Sequence, residues 1–179
     1  ANFYEYTGLF EMSSTPVDVF TSSAIFSSLN AEQIASVASS LRIHTFKASE
    51  IAITEGDSGD AMFFVARGRA LVSTHDFEGR KSYLSALAPG DCFGEHAFFT
   101  GEPRNATVEY ESKGWALEME RAALSRILLE HPTVREAVRR FYKERSAESL
   151  LAKSPLFAGL SKRARKELAA HFSFETYSP

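Results

Sequence analysis

The strongest restriction on the fold of this sequence is a series of short apolar runs. Between Ile43 and Leu87 the apolar residues occur in short segments with strand-like spacing, separated by polar or glycine-containing turns such as residues 55–60. Two further segments of the same kind follow at residues 107–110 and 115–119. Short strands at close intervals with glycine-rich turns are typical of all-β sandwiches and barrels. We therefore predict a mainly β domain.

Helical patterns flank these strands on both sides. In residues 23–41 apolar residues recur at helical spacing, and Asn30 is suited to cap a helix. The same spacing returns from Glu120 onwards. A second helix is expected to begin at Pro132, because a proline drives the preceding residue, His131, away from helical geometry. We expect one helical segment before the strands and two helices after them.

Residues 90–108, which separate two of the strands, have the chemistry of an anion site. Gly94 allows the backbone to approach a ligand closely, and residues 95–99 can form a short helical turn whose first N–H groups favour an anion. Arg104 then returns a planar, permanently charged group toward the same place. The residues predict that backbone N–H groups and one guanidinium hold the anion together.

Glu95 does not fit a simple anion site, because its carboxylate repels a phosphate unless it binds another group. A sugar hydroxyl would be a suitable partner. The alternative is a structural salt bridge between Glu95 and Arg104 within a turn, since either residue taken alone is more typical of a surface than of a site. Their placement together with Gly94, Ala97 and Ala106 favours the ligand-binding interpretation.

Two blocks of fixed spacing in this segment resemble the phosphate-binding cassette of cyclic nucleotide-binding domains: Phe93-Gly94-Glu95-x-Ala97 and Pro103-Arg104-x-Ala106-Thr107. The resemblance implies that Glu95 accepts a hydrogen bond from the ribose 2′-hydroxyl and that Arg104 pairs with the cyclic phosphate. It also implies that nearby backbone N–H groups complete the site. The ligand-binding residues expected from it are Gly94, Glu95, His96, Ala97, Arg104, Asn105 and Ala106.

The resemblance extends over most of residues 23–142, including the turn and strand pair at residues 53–68. It implies an eight-stranded jelly-roll β-sandwich with an N-terminal helical segment and two C-terminal helices. It also implies that Asp60 orients Arg104 from behind the site, because an unpaired guanidinium would otherwise turn toward solvent. Phe98 is the residue that the resemblance assigns to sensing the joint between the two C-terminal helices.

Three further residues bear on the ligand. Asn105 follows Arg104 directly, where some cGMP-selective members of the family carry Thr and many cAMP binders carry Ala; Asn fits neither rule, and we favour cAMP. His96 replaces the apolar residue often found at its position and places a titratable group near the phosphate. Phe141 and Tyr142 lie on the apolar face of the last expected helix, where core packing is the usual role and a cap over the bound base is the alternative.

The end of the sequence repeats its beginning. Residues 154–160 match residues 23–29, and residues 168–177 match residues 37–46, each at the same offset of 131 positions. A period of this size is that of a domain rather than of a solenoid repeat. The expected divisions are a tail or docking segment at residues 1–22, a cyclic nucleotide-binding domain at residues 23–150, and the truncated start of a second such domain at residues 151–179.

Composition argues against several other classes. The formal net charge of −3 disfavours bulk electrostatic binding to nucleic acid or to an anionic membrane surface. No apolar run approaches the ~20 residues that a membrane helix requires. The single cysteine, Cys92, excludes an internal disulfide and is consistent with a reducing, cytoplasmic compartment. The histidines lack metal-ligand spacing, so no metal site is expected.

A protease is also disfavoured. Gly56-Asp57-Ser58-Gly59 occurs as well at the nucleophile of trypsin-like proteases, but the next residue is Asp60 rather than Gly and the chain is too short for a double barrel. Asp57 and Asp60 suit ordinary turn positions as well as they suit a role in a functional site. We expect no enzymatic activity.

The function expected from the sequence is that of a cyclic nucleotide sensor. Binding would move the C-terminal helices and so regulate an attached or partner protein, such as a kinase or another signalling domain. Neither nucleic acid nor membrane is expected as a partner, and the oligomeric state is left open. One alternative is a nucleotide-independent interaction module with the same fold. Another is a nucleotide-gated transcription regulator, although no basic recognition helix is visible.

Overall fold

The structure, a computed structural model, describes residues 26, 29–75, 79–153, 155–157, 159–169 and 171. The segment at residues 1–22, expected to be a tail or docking element, lies outside these residues, as does the end of the second repeat at residues 172–177. The side chains of several residues near the end of the longest helix are likewise outside the description.

Eight strands form the described sheet structure. They are β1 (Arg42–Phe46), β2 (Ile51–Ile53), β3 (Ala61–Arg67), β4 (Ala70–His75), β5 (Lys81–Leu87), β6 (Cys92–Phe93), β7 (Thr107–Tyr110) and β8 (Gly114–Glu120). They pair in two antiparallel sheets of four strands, in the orders β1-β8-β3-β6 and β2-β7-β4-β5. This arrangement confirms the eight-stranded sandwich expected from the sequence.

The described helices lie before, within and after the sandwich. They are α1 (Ala31–Ala38), α2 (Glu95–Thr100), α3 (Arg121–Glu130), α4 (Pro132–Lys153) and α5 (Lys162–Ala169), with a 3-10 turn at Pro155–Phe157. Asn30 caps α1 as predicted: its side chain accepts from Gln33 N, and the Gln33 side chain accepts from Asn30 N. The predicted joint is also confirmed, because His131 has extended geometry (φ −128, ψ 90) between α3 and α4.

The apolar residues form two main clusters. The helix-side core, between the first sheet and the helices, includes Phe26, Val37, Phe64, Leu117, Val134 and Phe141. The inter-sheet core, between the two sheets, includes Phe46, Val65, Phe93, Val108 and Tyr110. Strand β3 supplies both, since alternate side chains of a strand point to opposite faces. Its residues 61–66 are all buried, which explains why this strand reads as a continuous apolar run rather than as an alternating one.

The segment from β6 to β7 crosses between the sheets. Strand β6 belongs to the first sheet and β7 to the second, and α2 lies between them. Residues 94–106 therefore form the connection at one end of the sandwich, next to the first residues of β3. Among the described residues, no helix is both long enough and apolar enough to cross a membrane.

Candidate functional site

The site is built around the start of α2. Gly94 has left-handed geometry (φ 78, ψ 2), which a side chain rarely adopts. A Cβ atom there would also lie 2.6 Å from Arg104 Nη1 and 3.2 Å from Ala61 O. Glycine is therefore required at this position for both conformation and space. The first N–H groups of α2 have no carbonyl four residues earlier within the helix, so they are oriented to meet an acceptor.

Arg104 is buried beside this glycine. Its side chain is 7% exposed, and Nη1 donates a hydrogen bond to Gly94 O over 2.8 Å. Its backbone is fixed as well, because Arg104 N donates to Asp57 O and Arg104 O accepts from Gly56 N, both at 2.8 Å. A guanidinium offers five N–H donors. Among the described residues its side chain has this one hydrogen-bond partner, so most of its donors remain available to an anion.

The turn before β3 encloses the other side of the guanidinium. A Cβ atom at Gly59 would overlap Nε, Cζ and Nη2 of Arg104. The sequence predicts a turn at residues 56–59 but does not indicate this packing role. The available signal was the second glycine of the turn, but nothing local indicates which side chain lies against it.

The charge of Arg104 is set by burial and by several neighbours. Burial lowers its pKa, while the carboxylates of Asp60, Glu95 and Glu118 oppose that shift and the positive charge of Arg121 adds to it. The result is a buried cation that has lost part of its hydration and that is attracted by these carboxylates through charge. A ligand anion that binds such a cation forms strong charge-assisted hydrogen bonds with it.

The carboxylates differ in how they meet Arg104. Glu95 is the first residue of α2 and is half-buried. Asp60 is exposed, and it acts on Arg104 through its charge rather than through a direct hydrogen bond. Its backbone carbonyl accepts from Arg121 N at 2.8 Å. The ribose role of Glu95 and the orienting role of Asp60 stay predictions.

The remaining expected ligand-binding residues lie in the same connection. Ala97 and Ala106 are buried and Asn105 is half-buried. The ring of His96 is paired through Nε2 with Glu102 Oε2 at 2.9 Å. This pair spans the loop between α2 and Arg104, and Glu102 was not singled out from the sequence. A contact of His96 with ligand through its backbone is compatible with this side-chain position and stays a prediction.

Aromatic residues join α2 to the C-terminal helices. Phe98 is buried in the helix-side core and meets Phe99 edge-on at 5.0 Å between ring centroids. Phe99 in turn contacts Tyr142 of α4 at 4.8 Å. Phe141 is buried in the helix-side core. Both candidate cap residues thus pack against other apolar or aromatic side chains, and a cap over a bound base stays a prediction.

The described residues contain no group of three or more His, Cys, Asp or Glu able to hold a metal ion. The polar groups of the site are instead the Arg104 guanidinium and backbone N–H groups, which donate, and the half-buried Glu95 carboxylate, which accepts. This set suits a ligand with an anionic group and a hydroxyl.

Comparison with known proteins gives this site a family. A family model described as "Cyclic nucleotide-binding domain" matches residues 43–131. A cAMP-dependent protein kinase regulatory subunit from Colletotrichum orbiculare is 30% identical over 166 residues, covering 87% of this chain and 40% of the subunit. A CRP-like cAMP-activated global transcriptional regulator from Mycobacterium tuberculosis is 24% identical over 128 residues, covering 72% of this chain and 57% of the regulator.

Solved structures show the same fold. The regulatory domain of Toxoplasma gondii PKA, crystallised with cAMP, superposes with a TM-score of 0.63 and 25% identity, covering 86% of this chain and 55% of that one. This chain spans 40% of the length of the Colletotrichum orbiculare subunit and 57% of the length of the Mycobacterium tuberculosis regulator.

Proposed function

Because the chain contains a cyclic nucleotide-binding domain at residues 43–131, we propose that it senses cAMP and that cAMP binding changes the position of its C-terminal helices. The observation that carries this proposal is the placement of Arg104. Its guanidinium is buried between Gly59 and Gly94, bonded to one carbonyl, with donors left for an anion. A buried cation in this state binds a phosphate more strongly than a surface arginine does, because less water has to be displaced.

Glu95 supports the choice of a nucleotide over inorganic phosphate. It stands at the start of α2, where its charge reaches Arg104. A carboxylate next to a phosphate site is unfavourable unless it accepts a hydrogen bond, and the 2′-hydroxyl of a ribose can donate one. The nucleotide is then held at two points, with Arg104 and the α2 backbone on the phosphate and Glu95 on the sugar.

The preference for cAMP over cGMP is inferred from the relatives rather than from Asn105. Asn105 is neither the Thr nor the Ala that guides the choice in the family. The Mycobacterium tuberculosis relative is described as cAMP-activated, and the Toxoplasma gondii domain was crystallised with cAMP. These likenesses favour adenine.

A ligand panel tests the proposal directly. Thermal shift with cAMP, cGMP, 5′-AMP and adenosine should show stabilisation by the cyclic forms only, with cAMP the strongest at equal concentration. A ligand at 100 times its Kd adds about 2.7 kcal/mol to the free energy of unfolding, which is easily measured. Equal stabilisation by 5′-AMP would contradict the cyclic phosphate assignment. No stabilisation by any member would favour a nucleotide-independent interaction module.

We propose that the output runs through α3 and α4. The cassette helix α2 reaches α4 through Phe99 and Tyr142, and the joint at His131 lets α4 change direction relative to α3. Coupling of this kind is commonly worth ~1–3 kcal/mol. Hydrogen exchange of residues 120–150 should therefore change when cAMP is added. Identical exchange with and without nucleotide would refute the proposed coupling without contradicting the proposed binding site.

The effector is proposed from the sequence repeat. Helix α5 (Lys162–Ala169) lies at the 131-residue offset from α1 (Ala31–Ala38). The same hydrogen bonds recur at that offset: Leu29 N to Phe26 O corresponds to Leu160 N to Phe157 O, each at 3.0 Å. This local correspondence supports a second sensor beginning near residue 151, as in a kinase regulatory subunit. The proposed partner is accordingly a cytoplasmic kinase or another signalling protein.

A nucleotide-gated transcription regulator is the second candidate, since the Mycobacterium tuberculosis relative has that description. Against it, α5 lies at the 131-residue offset from α1 and so matches the start of the sensor domain, although residues 162–166 of α5 are rich in Lys and Arg. An electrophoretic mobility assay with cAMP and genomic DNA fragments separates the two candidates. A cAMP-dependent, sequence-specific shift would favour the regulator.

A further inference from the structure

Two arginines bind opposite ends of the cassette helix α2. Arg104 Nη1 donates to Gly94 O, at the helix start, over 2.8 Å. Arg121 Nη2 donates to Ala97 O over 2.6 Å, and the same carbonyl accepts from Gly101 N, just after the helix end, over 2.9 Å. Arg104 belongs to the phosphate site, whereas Arg121 is the first residue of α3. The six-residue helix α2 is therefore a bridge between the ligand site and the first output helix.

The position of Arg121 is fixed from a second direction. Its backbone N–H donates to Asp60 O over 2.8 Å, immediately before β3. Its side-chain Nε is buried without a hydrogen-bond partner among the described residues. A buried, unsatisfied donor on a charged group is a cost to folding. Local stability alone is therefore a poor reason for an arginine at this position.

The two guanidinium groups also interact through their charges. Burial lowers the pKa of Arg104, and the positive charge of Arg121 lowers it further. Two like charges near one end of the sandwich repel each other, and an anion bound at Arg104 relieves this repulsion. An anion that binds Arg104 therefore changes the electrostatic energy of Arg121 at its present position. By linkage, a change at Arg121 alters anion binding at Arg104.

We propose that Arg121 is a positioning residue that couples the nucleotide site to α3; the coupling to nucleotide rests on the proposed function. When the phosphate engages Arg104, α2 shifts with its two bonded carbonyls, and the bond from Arg121 to Ala97 O carries that shift to the start of α3. This connection differs from the Phe99–Tyr142 contact, which reaches α4 directly. Among the described residues, a polar contact and an aromatic contact thus connect α2 to the C-terminal helices.

The test compares two variants with the same change of charge on the same helix. Arg121→Gln removes the bond to Ala97 O, and Arg126→Gln removes an exposed arginine five residues later on α3. Affinity for cAMP is measured by titration calorimetry, and hydrogen exchange of residues 121–130 is measured with and without saturating cAMP. Arg121→Gln should bind at most about tenfold more weakly but lose at least about half of the nucleotide-dependent protection of α3. Arg126→Gln should match the parent in both.

A merely structural role predicts a different result. Arg121→Gln would then lower the melting temperature, while cAMP would still protect α3 as it does in the parent. That outcome, or equal loss of protection in Arg121→Gln and Arg126→Gln, would overturn the inference.

A second measurement needs no ligand. In the ligand-free protein, Arg104→Lys should raise the exchange of residues 121–125 when Arg121 is present and have little effect when Arg121 is replaced by Gln. Equal effects in both backgrounds would refute the coupling. If the parent bound no cyclic nucleotide, the proposed function would fall and this cycle alone would decide whether Arg121 and Arg104 are linked.

Discussion

Gly59→Ala offers a sharp test of the site because it adds a single methyl group and changes no charge. The new Cβ would overlap the Arg104 guanidinium. Gly59 does not have the left-handed geometry that makes other glycines of this chain irreplaceable, so the backbone accepts alanine. The strain falls on Arg104, whose guanidinium has to move by about 1 Å to restore an ordinary van der Waals separation.

The cost follows from the contacts that such a shift disturbs. The bond from Arg104 Nη1 to Gly94 O and the bonds to a bound phosphate are hydrogen bonds of a charged group, worth about 1.5–3 kcal/mol each. Losing the equivalent of one of them weakens binding about 10- to 100-fold, at 1.4 kcal/mol per factor of ten. The free energy of unfolding should fall by less than the binding free energy, because the displaced guanidinium can turn toward solvent.

Titration calorimetry with cAMP and a thermal melt of the ligand-free protein measure the two effects separately. Ser58→Ala is the matched control, since Ser58 is exposed in the same turn. In an Arg104→Lys background, Gly59→Ala should have little further effect, because lysine lacks the planar group that the methyl displaces. Unchanged affinity in Gly59→Ala would refute the packing argument for the site.

Three other substitutions test separate parts of the structure. Arg104→Lys should weaken cAMP binding by about 2–5 kcal/mol in calorimetry, because a point charge cannot replace the buried planar fork; wild-type affinity for cAMP and cGMP would contradict the phosphate assignment. Burial favours a raised pKa for Glu55, but hydrogen bonds from Thr74 and His75 outweigh it and leave the pKa lowered. Its stabilisation is therefore present above the ordinary pKa near ~4.3 and is lost as the pH falls through the folded value. Urea melts should show the advantage of the parent over Glu55→Gln shrinking between pH 6 and pH 3, and a constant difference would contradict this. Asn30→Ala removes the cap of α1 and should lower the free energy of unfolding by about 1 kcal/mol in the same assay; no change would show that the Asn30 cap does not stabilise α1.

The local features of this protein could be predicted from its sequence because each depends on residues close together in the chain. The turn at Gly94, the helical turn after it and the return of Arg104 are encoded in one short segment. The cap at Asn30 and the joint before Pro132 are equally local. The alternation of short apolar runs with glycine turns was enough to predict a mainly β domain, a sandwich or a barrel, although β3 reads as a continuous run because both its faces are buried.

The tertiary structure decided which distant residues meet. Gly59 packs on Arg104 although 45 positions separate them, and Arg121 bonds to Ala97 across β7 and β8. His96 pairs with Glu102, and Tyr142 packs on Phe99. Spacing in a sequence sets the geometry of a turn or a helix face, but the partner of a side chain depends on strand register and on how helices lie across a sheet. That is why the sequence pointed to a candidate anion site around Arg104, while the packing of Gly59 on Arg104 and the bond from Arg121 to Ala97 appear only in the folded chain.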